Sequence, residues 1–196
     1  MQYTQAGAYG QISHSEGLNT LAIGNQSHAE GNETIASGIQ SHAEGGGTTA
    51  SGVNSHAEGG GTVASGHYSH AEGGGTVASG AQSHAEGGGT TASGVNSHAE
   101  GNVTVASGQD SHTEGAYTIA SGVNSHAEGY QTIASGGAAH AEGNYINLNE
   151  QFGLSYLQLK LTGTQNTLTY SINTDDILSL RTSELLVKEH QYKFGN

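Results

Sequence analysis

Histidine recurs at every fourteenth position of this chain over ten consecutive repeats. The ten positions are His14, His28, His42, His56, His70, His84, His98, His112, His126 and His140. Most of them lie in a Ser-His-Ala-Glu-Gly block, and a Thr-x-Ala-Ser-Gly block lies between successive histidine blocks, as at residues 62–66. A fixed period of this kind indicates a repeat architecture in which each unit packs on its neighbours. We therefore predict ten 14-residue coils over residues 1–143.

Both blocks are too short for helices, and their recurring glycines would interrupt a helix in any case. We predict that each coil contains two four-residue extended segments, with glycine at the corners supplying the positive φ of a tight turn. Coils stacked on one another then form two parallel sheets. The predicted fold class is all-β, a parallel β-roll solenoid.

The core of such a roll must be thin, because the chain has 33 Gly, no Trp and only 2 Phe. Strand alternation places Ser125 and Ala127 on one face and His126 and Glu128 on the other, and only the small pair suits a narrow interior. In the second block, either Thr132 and Ala134 or Ile133 and Ser135 could face inward. The x position is Leu, Ile, Val or Thr, which predicts a modest apolar stripe and self-association to bury it.

Charge excludes several partners. Residues 1–143 contain eleven Glu and one Asp but no Lys or Arg, a surface that repels nucleic acid and anionic membranes. The absence of Cys excludes disulfides and thiolate metal sites. The first residues, 1–5, have neither basic nor apolar character, so we predict no signal peptide in this sequence and no membrane insertion.

The two blocks resemble the head repeat of trimeric autotransporter adhesins, the YadA-like head. That repeat is also 14 residues long and combines a Ser-Val-Ala-Ile-Gly-like block with an Ala-x-Ala-x-Gly-like block. Residues 20–24, Thr-Leu-Ala-Ile-Gly, are similar to the first block, and residues 125–129, Ser-His-Ala-Glu-Gly, to the second. The resemblance covers about residues 6–143. The chain departs from it in the recurring His and Glu and in Ala-Ser-Gly for Ala-Ile-Gly.

The resemblance implies a left-handed parallel β-roll, assembled as a homotrimer that attaches to a host-surface or matrix protein or glycan. It implies an extracellular, cell-surface location. The alternative is a phage tail-fibre or other virion appendage segment with a mainly structural role. No enzyme is predicted, since adjacent Ser and His in a strand point to opposite faces and the repeated His and Glu lack a distinct catalytic environment. No cofactor is predicted either.

The recurring His and Glu share one face and form a ladder along the stack. Glutamates about 4.8 Å apart repel each other by roughly 0.9 kcal/mol per pair even in water. We expect imidazole-to-carboxylate hydrogen bonds and ring stacking to relieve this repulsion, with no metal bound. Burial of the ladder at the subunit interface is a second explanation and a transition metal a third. The metal candidates are His56, Glu58, His70, Glu72, His84, Glu86, His98 and Glu100.

The same ladder predicts a pH response. Neighbouring carboxylates are expected to raise the pKa of the histidines. Their contribution to stability would then be complete below about pH 6.5 and would fade as the pH rises through the raised value.

After Gly143 the period ends, and residues 144–196 are predicted to form a mostly β capping or trimerisation segment. Residues 156–162 and 167–172 alternate like the two strands of a hairpin. Residues 177–187 suit a third strand or a short helix. Stacked repeats need a cap over the last coil, which we favour over a receptor-binding tip.

Overall fold

The structure, a computed structural model, describes residues 7–148 of the chain. These residues form strands, turns and bends, and all the strands belong to two parallel sheets. In every pairing the partners are fourteen residues apart, as for His70 and His84. The predicted all-β parallel solenoid with a 14-residue coil is therefore confirmed.

The first sheet contains ten strands, one from each histidine block. They are β2 (His14–Leu18), β4 (His28–Asn32), β6 (His42–Gly46), β8 (His56–Gly60), β10 (His70–Gly74), β12 (His84–Gly88), β14 (His98–Ala99), β16 (His112–Thr113), β18 (His126–Tyr130) and β20 (His140–Asn144). We call this the histidine sheet.

The second sheet contains eleven short strands from the alternate block. They are β1 (Gly7–Ala8), β3 (Leu21–Ala22), β5 (Ile35–Ala36), β7 (Thr49–Ala50), β9 (Val63–Ala64), β11 (Val77–Ala78), β13 (Thr91–Ala92), β15 (Val105–Ala106), β17 (Ile119–Ala120), β19 (Ile133–Ala134) and β21 (Asn147–Leu148). We call this the valine sheet, after the residue that opens three of its strands.

Within residues 7–148, the fully buried side chains between the two sheets are all small. In one coil, Ser55 and Ala57 point inward from the histidine sheet, while Thr62 and Ala64 point inward from the valine sheet. The inward direction of Ser and Ala confirms the prediction for the histidine block. For the other block, the structure places Thr and Ala inside and leaves the x residue and Ser on the outer face.

Glycine supplies the predicted positive φ in the histidine block, as at Gly59 (φ 104°), but not in the Ala-Ser-Gly block. Left-handed backbone also occurs at variable corner residues, such as Asn54 (φ 57°) and Tyr68 (φ 58°). Gly66 has no positive φ, and a Cβ placed on it would overlap the carbonyl oxygen of Gly80 in the next coil. The glycine of the Ala-Ser-Gly block is thus required because coils approach each other closely there, and the prediction of a turn-forming glycine is wrong for it.

The predicted strand lengths also need correction. In most coils the long strand begins at His and runs through Gly to the following residue, as in β8, whereas the short strand has only two residues. Pairing continues as far as β21, which pairs with β19 at the end of the described residues. From residue 149 onward, the predicted cap lies outside the described residues. Among residues 7–148, no helix is long and apolar enough to cross a membrane.

Candidate functional site

The outer face of the histidine sheet carries the candidate site. We define the His–Glu ladder as the ten repeat histidines together with the glutamates two residues after them, which are Glu16, Glu30, Glu44, Glu58, Glu72, Glu86, Glu100, Glu114, Glu128 and Glu142. Alternation turns these side chains outward because Ser and Ala of the same strand fill the core. The inward Ser55 hydroxyl donates a hydrogen bond to the carbonyl oxygen of Gly52 at 2.8 Å. Serine and histidine therefore lie on opposite faces, as predicted.

The imidazoles form a continuous stack. From His28 to His140, successive ring centroids lie 4.7–4.8 Å apart, and the rings are close to parallel. His14, in the first coil, instead meets His28 edge-on at an interplanar angle of 67° and a centroid separation of 5.0 Å. The ring stacking expected for the ladder is confirmed, and the backbone also accepts a tilted ring.

The expected imidazole-to-carboxylate hydrogen bonds are absent from the described part of the ladder. The Nε2–Oε2 separation is 3.5 Å between His28 and Glu30 and 3.8 Å between His84 and Glu86. These are ion-pair distances, too long for a hydrogen bond. The Nε2 atoms from His28 to His140 are shielded from solvent and have no hydrogen-bond partner in the described structure. Hydrogen bonding from Nε2 therefore does not explain the repeated spacing of His and Glu, and that expectation is wrong.

The pairing register changes along the ladder. Up to His84, each imidazole faces the glutamate of its own strand. From His112 onward, each faces the glutamate of the preceding coil, as His112 faces Glu100 at 3.8 Å. His98 lies at the crossover, where β14 and β16 shorten to two residues each. A groove of about 500 Å³ lies beside this crossover, lined by Glu72, Glu86, Gly87, Glu100, Gly101, Glu114 and Gly115.

The stacked carboxyl groups perturb each other in alternation. Hydrogen bonding to Glu86, followed by burial, raises the pKa of Glu100 to about 7. Hydrogen bonding to Glu100 in turn holds the pKa of Glu86 below its ordinary value. The pKa of Glu114 is lowered as well, by hydrogen bonds to Glu128 and Glu100. Alternate glutamates thus favour the protonated form and donate to ionised neighbours, which relieves the like-charge repulsion.

The histidines shift in the direction opposite to the expected one. Burial, followed by the charge of neighbouring imidazoles, lowers the pKa of His56 and His70. The same two causes lower the pKa of His28, His98 and His126. Carboxylates do oppose the shift, but desolvation and the stacked imidazoles outweigh them. The sequence-based prediction of raised values is wrong because it left out burial and histidine–histidine repulsion.

The structure brings the predicted metal candidates together. His70, Glu72 and His84 place one potential ligand atom each within 4.8 Å of one another, and so do Glu86, His98 and Glu100. A third group consists of His42, Glu44 and His56. Glu58 lies in the same ladder, with Oε2 at 3.7 Å from Nε2 of His56. Imidazole and carboxylate are the donors that borderline divalent metals accept.

A tyrosine column is a feature that the sequence-based analysis missed. Tyr130 meets Tyr117 and Tyr145 edge-on, with ring centroids 5.9 Å and 5.6 Å apart. The three tyrosines lie in successive coils, at the end of the histidine-block strand (Tyr130) or after it (Tyr117 and Tyr145), and all are exposed. In the sequence these tyrosines are thirteen and fifteen residues apart, so they do not follow the strict 14-residue period of the histidines.

Comparison with known proteins supports one family. The family model for the YadA head domain repeat (2 copies) matches residues 15–41, 43–69, 85–111, 99–125 and 127–145. Among curated proteins, none matches the chain significantly. The family matches together cover more than half of the chain and fall on the coils that form the roll. With its 14-residue coils, two parallel sheets and matched repeats, this chain belongs to the YadA head domain repeat family.

Proposed function

We propose that this protein is a non-enzymatic homotrimeric adhesin head or rod that lies outside the cell and mediates attachment to a host or matrix surface. The observation that carries the proposal is the apolar stripe on the outer face of the valine sheet. Its residues are Leu21, Ile35, Thr49, Val63, Val77, Thr91, Val105, Ile119 and Ile133. Eight of these nine side chains are only half-buried in the single chain, and Ile119 is exposed.

Because the core is thin, burial of this stripe matters for the stability of the roll. The interior contains alanine, serine and threonine, so each coil removes little apolar surface from water. Ordering costs about 1–2 kcal/mol of backbone entropy per residue, and such a core offsets that cost weakly. Packing three stripes against each other would bury Val and Ile side chains and add the missing stabilisation. Family members of the YadA head type are typically homotrimeric, which supports this assembly.

The repeated ladder supports a binding or structural role over catalysis. A catalytic site needs one nucleophile or base in an environment of its own. Here, stacked histidines such as His42, His56 and His70 have nearly the same surroundings. The serine hydroxyls are buried and donate to backbone carbonyls on the opposite side of the strand. The YadA head family is also one of non-enzymatic adhesin domains.

The corners between the strands supply variable surface for attachment. Residues 67–68 are His-Tyr, residues 81–82 Ala-Gln and residues 95–96 Val-Asn, while the strands between them repeat closely. Tyr68 and Val95 are exposed at these corners. Variable exposed side chains on a regular scaffold are typical of recognition surfaces. We propose a surface protein or glycan as the partner. A phage tail-fibre segment is the alternative, and it would share the same trimeric rod.

The assembly is tested by light scattering of the full chain in the presence of a chelator. We expect a mass of three times the 19.8 kDa chain. Val77→Asp places a charge on the stripe and should give monomers. Val95→Asp places the same charge at an exposed corner and should leave the trimer intact. A monomeric wild type, or equal masses for the two variants, would contradict the assembly through the valine sheet.

Attachment is tested separately on immobilised matrix proteins and a glycan array. We expect saturable binding by the wild type, weakened by substitution of exposed corner residues such as Tyr68→Ser. Binding that is absent from every matrix protein and glycan would count against the adhesin and in favour of the tail-fibre alternative. Trimer mass is measured independently, so assembly and attachment can fail separately.

A further inference from the structure

The Nε2 atoms of the ladder form an unusual row of polar atoms. From His28 to His140 they are shielded from water, and within the described residues they have no hydrogen-bond partner. Buried polar atoms are normally paired, and a row of unpaired ones points to an unobserved ligand or ion. All of these atoms except that of His98 lie within 4.0 Å of a carboxylate oxygen, as in the 3.6 Å separation between His42 Nε2 and Glu44 Oε2. Imidazole nitrogens and carboxylate oxygens, which are both electron-pair donors, therefore lie close together along the ladder.

The spacing of these donors is close to that of a zinc ligand set. With Zn–N and Zn–O distances of about 2.0–2.1 Å, two tetrahedral ligands lie about 3.3–3.4 Å apart. The His42–Glu44 and His70–Glu72 pairs, at 3.6 Å and 3.7 Å, need to contract by only a few tenths of an ångström. The second imidazole of each group must tilt out of the stack to point its lone pair at the ion. His14, at the open end of the stack, adopts such a tilt, at 67° to His28.

We propose that the His–Glu ladder binds divalent transition-metal ions in series, with one ion for every two coils in its amino-terminal half. The two sites are His42, Glu44 and His56, and His70, Glu72 and His84. They use separate pairs of coils and share no ligand. Ions in adjacent coils would be about 4.8 Å apart, and doubling that separation halves their Coulomb repulsion.

The carboxy-terminal half of the ladder is a poorer site. Its groups, such as Glu86, His98 and Glu100, offer one imidazole and two carboxylates. Neighbouring groups also share Glu100 and Glu114, so they cannot all be filled together. Imidazole-rich sets select zinc, copper and nickel, whereas carboxylate-rich sets suit magnesium and calcium better. The metal-binding proposal goes beyond attachment and does not depend on the trimer.

The face that carries the ladder is available to ions. It is opposite the valine-sheet stripe, so burying the stripe in an assembly leaves the ladder open. The ladder side chains are partly exposed, with 36% of the His56 side chain and 36% of the Glu58 side chain accessible. Residues 1–143 contain no Lys or Arg, so no basic side chain of the roll competes for the carboxylates.

The test measures bound zinc directly. The full chain, freed of metal by a chelator, is dialysed against ZnCl2, and bound zinc is quantified by mass spectrometry. We expect at least two ions per chain, with one fewer in His70→Gln. The matched control is His67→Gln, which removes an exposed corner imidazole outside the ladder. Less than one ion per chain, or equal zinc content in the two variants, would overturn the proposal.

A second measurement uses the wild type alone and does not depend on how a variant folds. Co2+ added to the metal-free chain should give visible absorption typical of a nitrogen–oxygen ligand set, and Zn2+ should displace it. Excess Mg2+ should leave the spectrum unchanged. Absence of the cobalt spectrum, or its displacement by Mg2+ as readily as by Zn2+, would contradict a transition-metal site.

Discussion

The imidazole of His56 lies parallel to that of His70, with centroids 4.8 Å apart and an interplanar angle of 4°. Each ring shields the next from water, and the charge of one opposes the charge of the other. Burial and the neighbouring imidazoles together lower the pKa of His56. The stack is therefore a structure that favours neutral histidine.

The first prediction concerns this coupling in the chelator-treated protein. Replacing His70 with Gln removes one of the charges that lower the pKa of His56, so that pKa should rise towards its ordinary 6.5. Site-resolved NMR titration measures the change. His67→Gln should leave the His56 titration where it is, and an equal effect of both substitutions would contradict coupling through the stack.

The sign of the stability effect follows from the lowered values. A lowered pKa in the folded state means that the unfolded chain binds protons first as the pH falls. The histidine contribution to stability is therefore complete above about pH 6.5 and is lost as the pH falls through the lowered values.

The second prediction concerns Glu100, whose pKa is raised to about 7. The contribution of Glu100 to the free energy of unfolding is complete below its ordinary pKa. It is lost as the pH rises through about 7, because the side chain must then ionise between Glu86 and Glu114. Glu100→Gln should therefore be more stable than the wild type at pH 8, by about 1 kcal/mol after allowing for solvent screening. The gain should disappear near pH 5.

Melting temperatures of both proteins across this pH range measure the effect. Glu33→Gln is the matched control, because Glu33 lies at an exposed corner outside the ladder. If Glu100→Gln raises the melting temperature equally at pH 5 and pH 8, the stacked carboxyl groups do not share protons as described.

The third prediction tests the close approach of the coils. Gly66→Ala places a Cβ against the carbonyl oxygen of Gly80, so the stack must open locally. We expect a loss of about 2–3 kcal/mol in the free energy of unfolding. Gly60→Ala is the control, since an added Cβ there meets no atom within 4 Å and the backbone has no positive φ. Gly60→Ala should be neutral or stabilising by up to about 1 kcal/mol. Chemical denaturation measures the free energy of unfolding of both variants, and equal values would contradict the close approach of the coils at Gly66.

The fourth prediction concerns the threonine column in the core. The Thr62 hydroxyl is buried without a hydrogen-bond partner in the described structure. An unpaired buried hydroxyl is unfavourable, so Thr62→Val should stabilise the roll by about 1 kcal/mol. In contrast, Thr104 donates to the carbonyl oxygen of Glu100 at 3.1 Å, and Thr104→Val should destabilise it by about the same amount. Thermal unfolding of the two variants measures both changes in stability. A destabilised Thr62→Val variant would contradict the prediction and show that the Thr62 hydroxyl has a hydrogen-bond partner.

The period of His56 and its equivalents was sufficient to predict the coil length, the parallel sheets and the outward face of the histidine strand. The faces of the other strand were not predictable, because Thr62 is close in size to Val63 and Ala64 to Ser65, so size alone does not select the inner pair. The role of Gly66 was missed because a close approach between coils leaves no local signal in the sequence. The histidine pKa direction depends on burial and ring stacking, which alternation along a strand does not specify.

The two strand registers join residues fourteen positions apart at every step from one coil to the next, as from His56 to His70 and from Val63 to Val77. An insertion or deletion of one whole coil therefore restores the same strand register on both sides of the junction. At the genetic level such a change is a block of forty-two nucleotides, which keeps the reading frame. The roll can thus lengthen or shorten in steps of about 4.8 Å without a change of strand register.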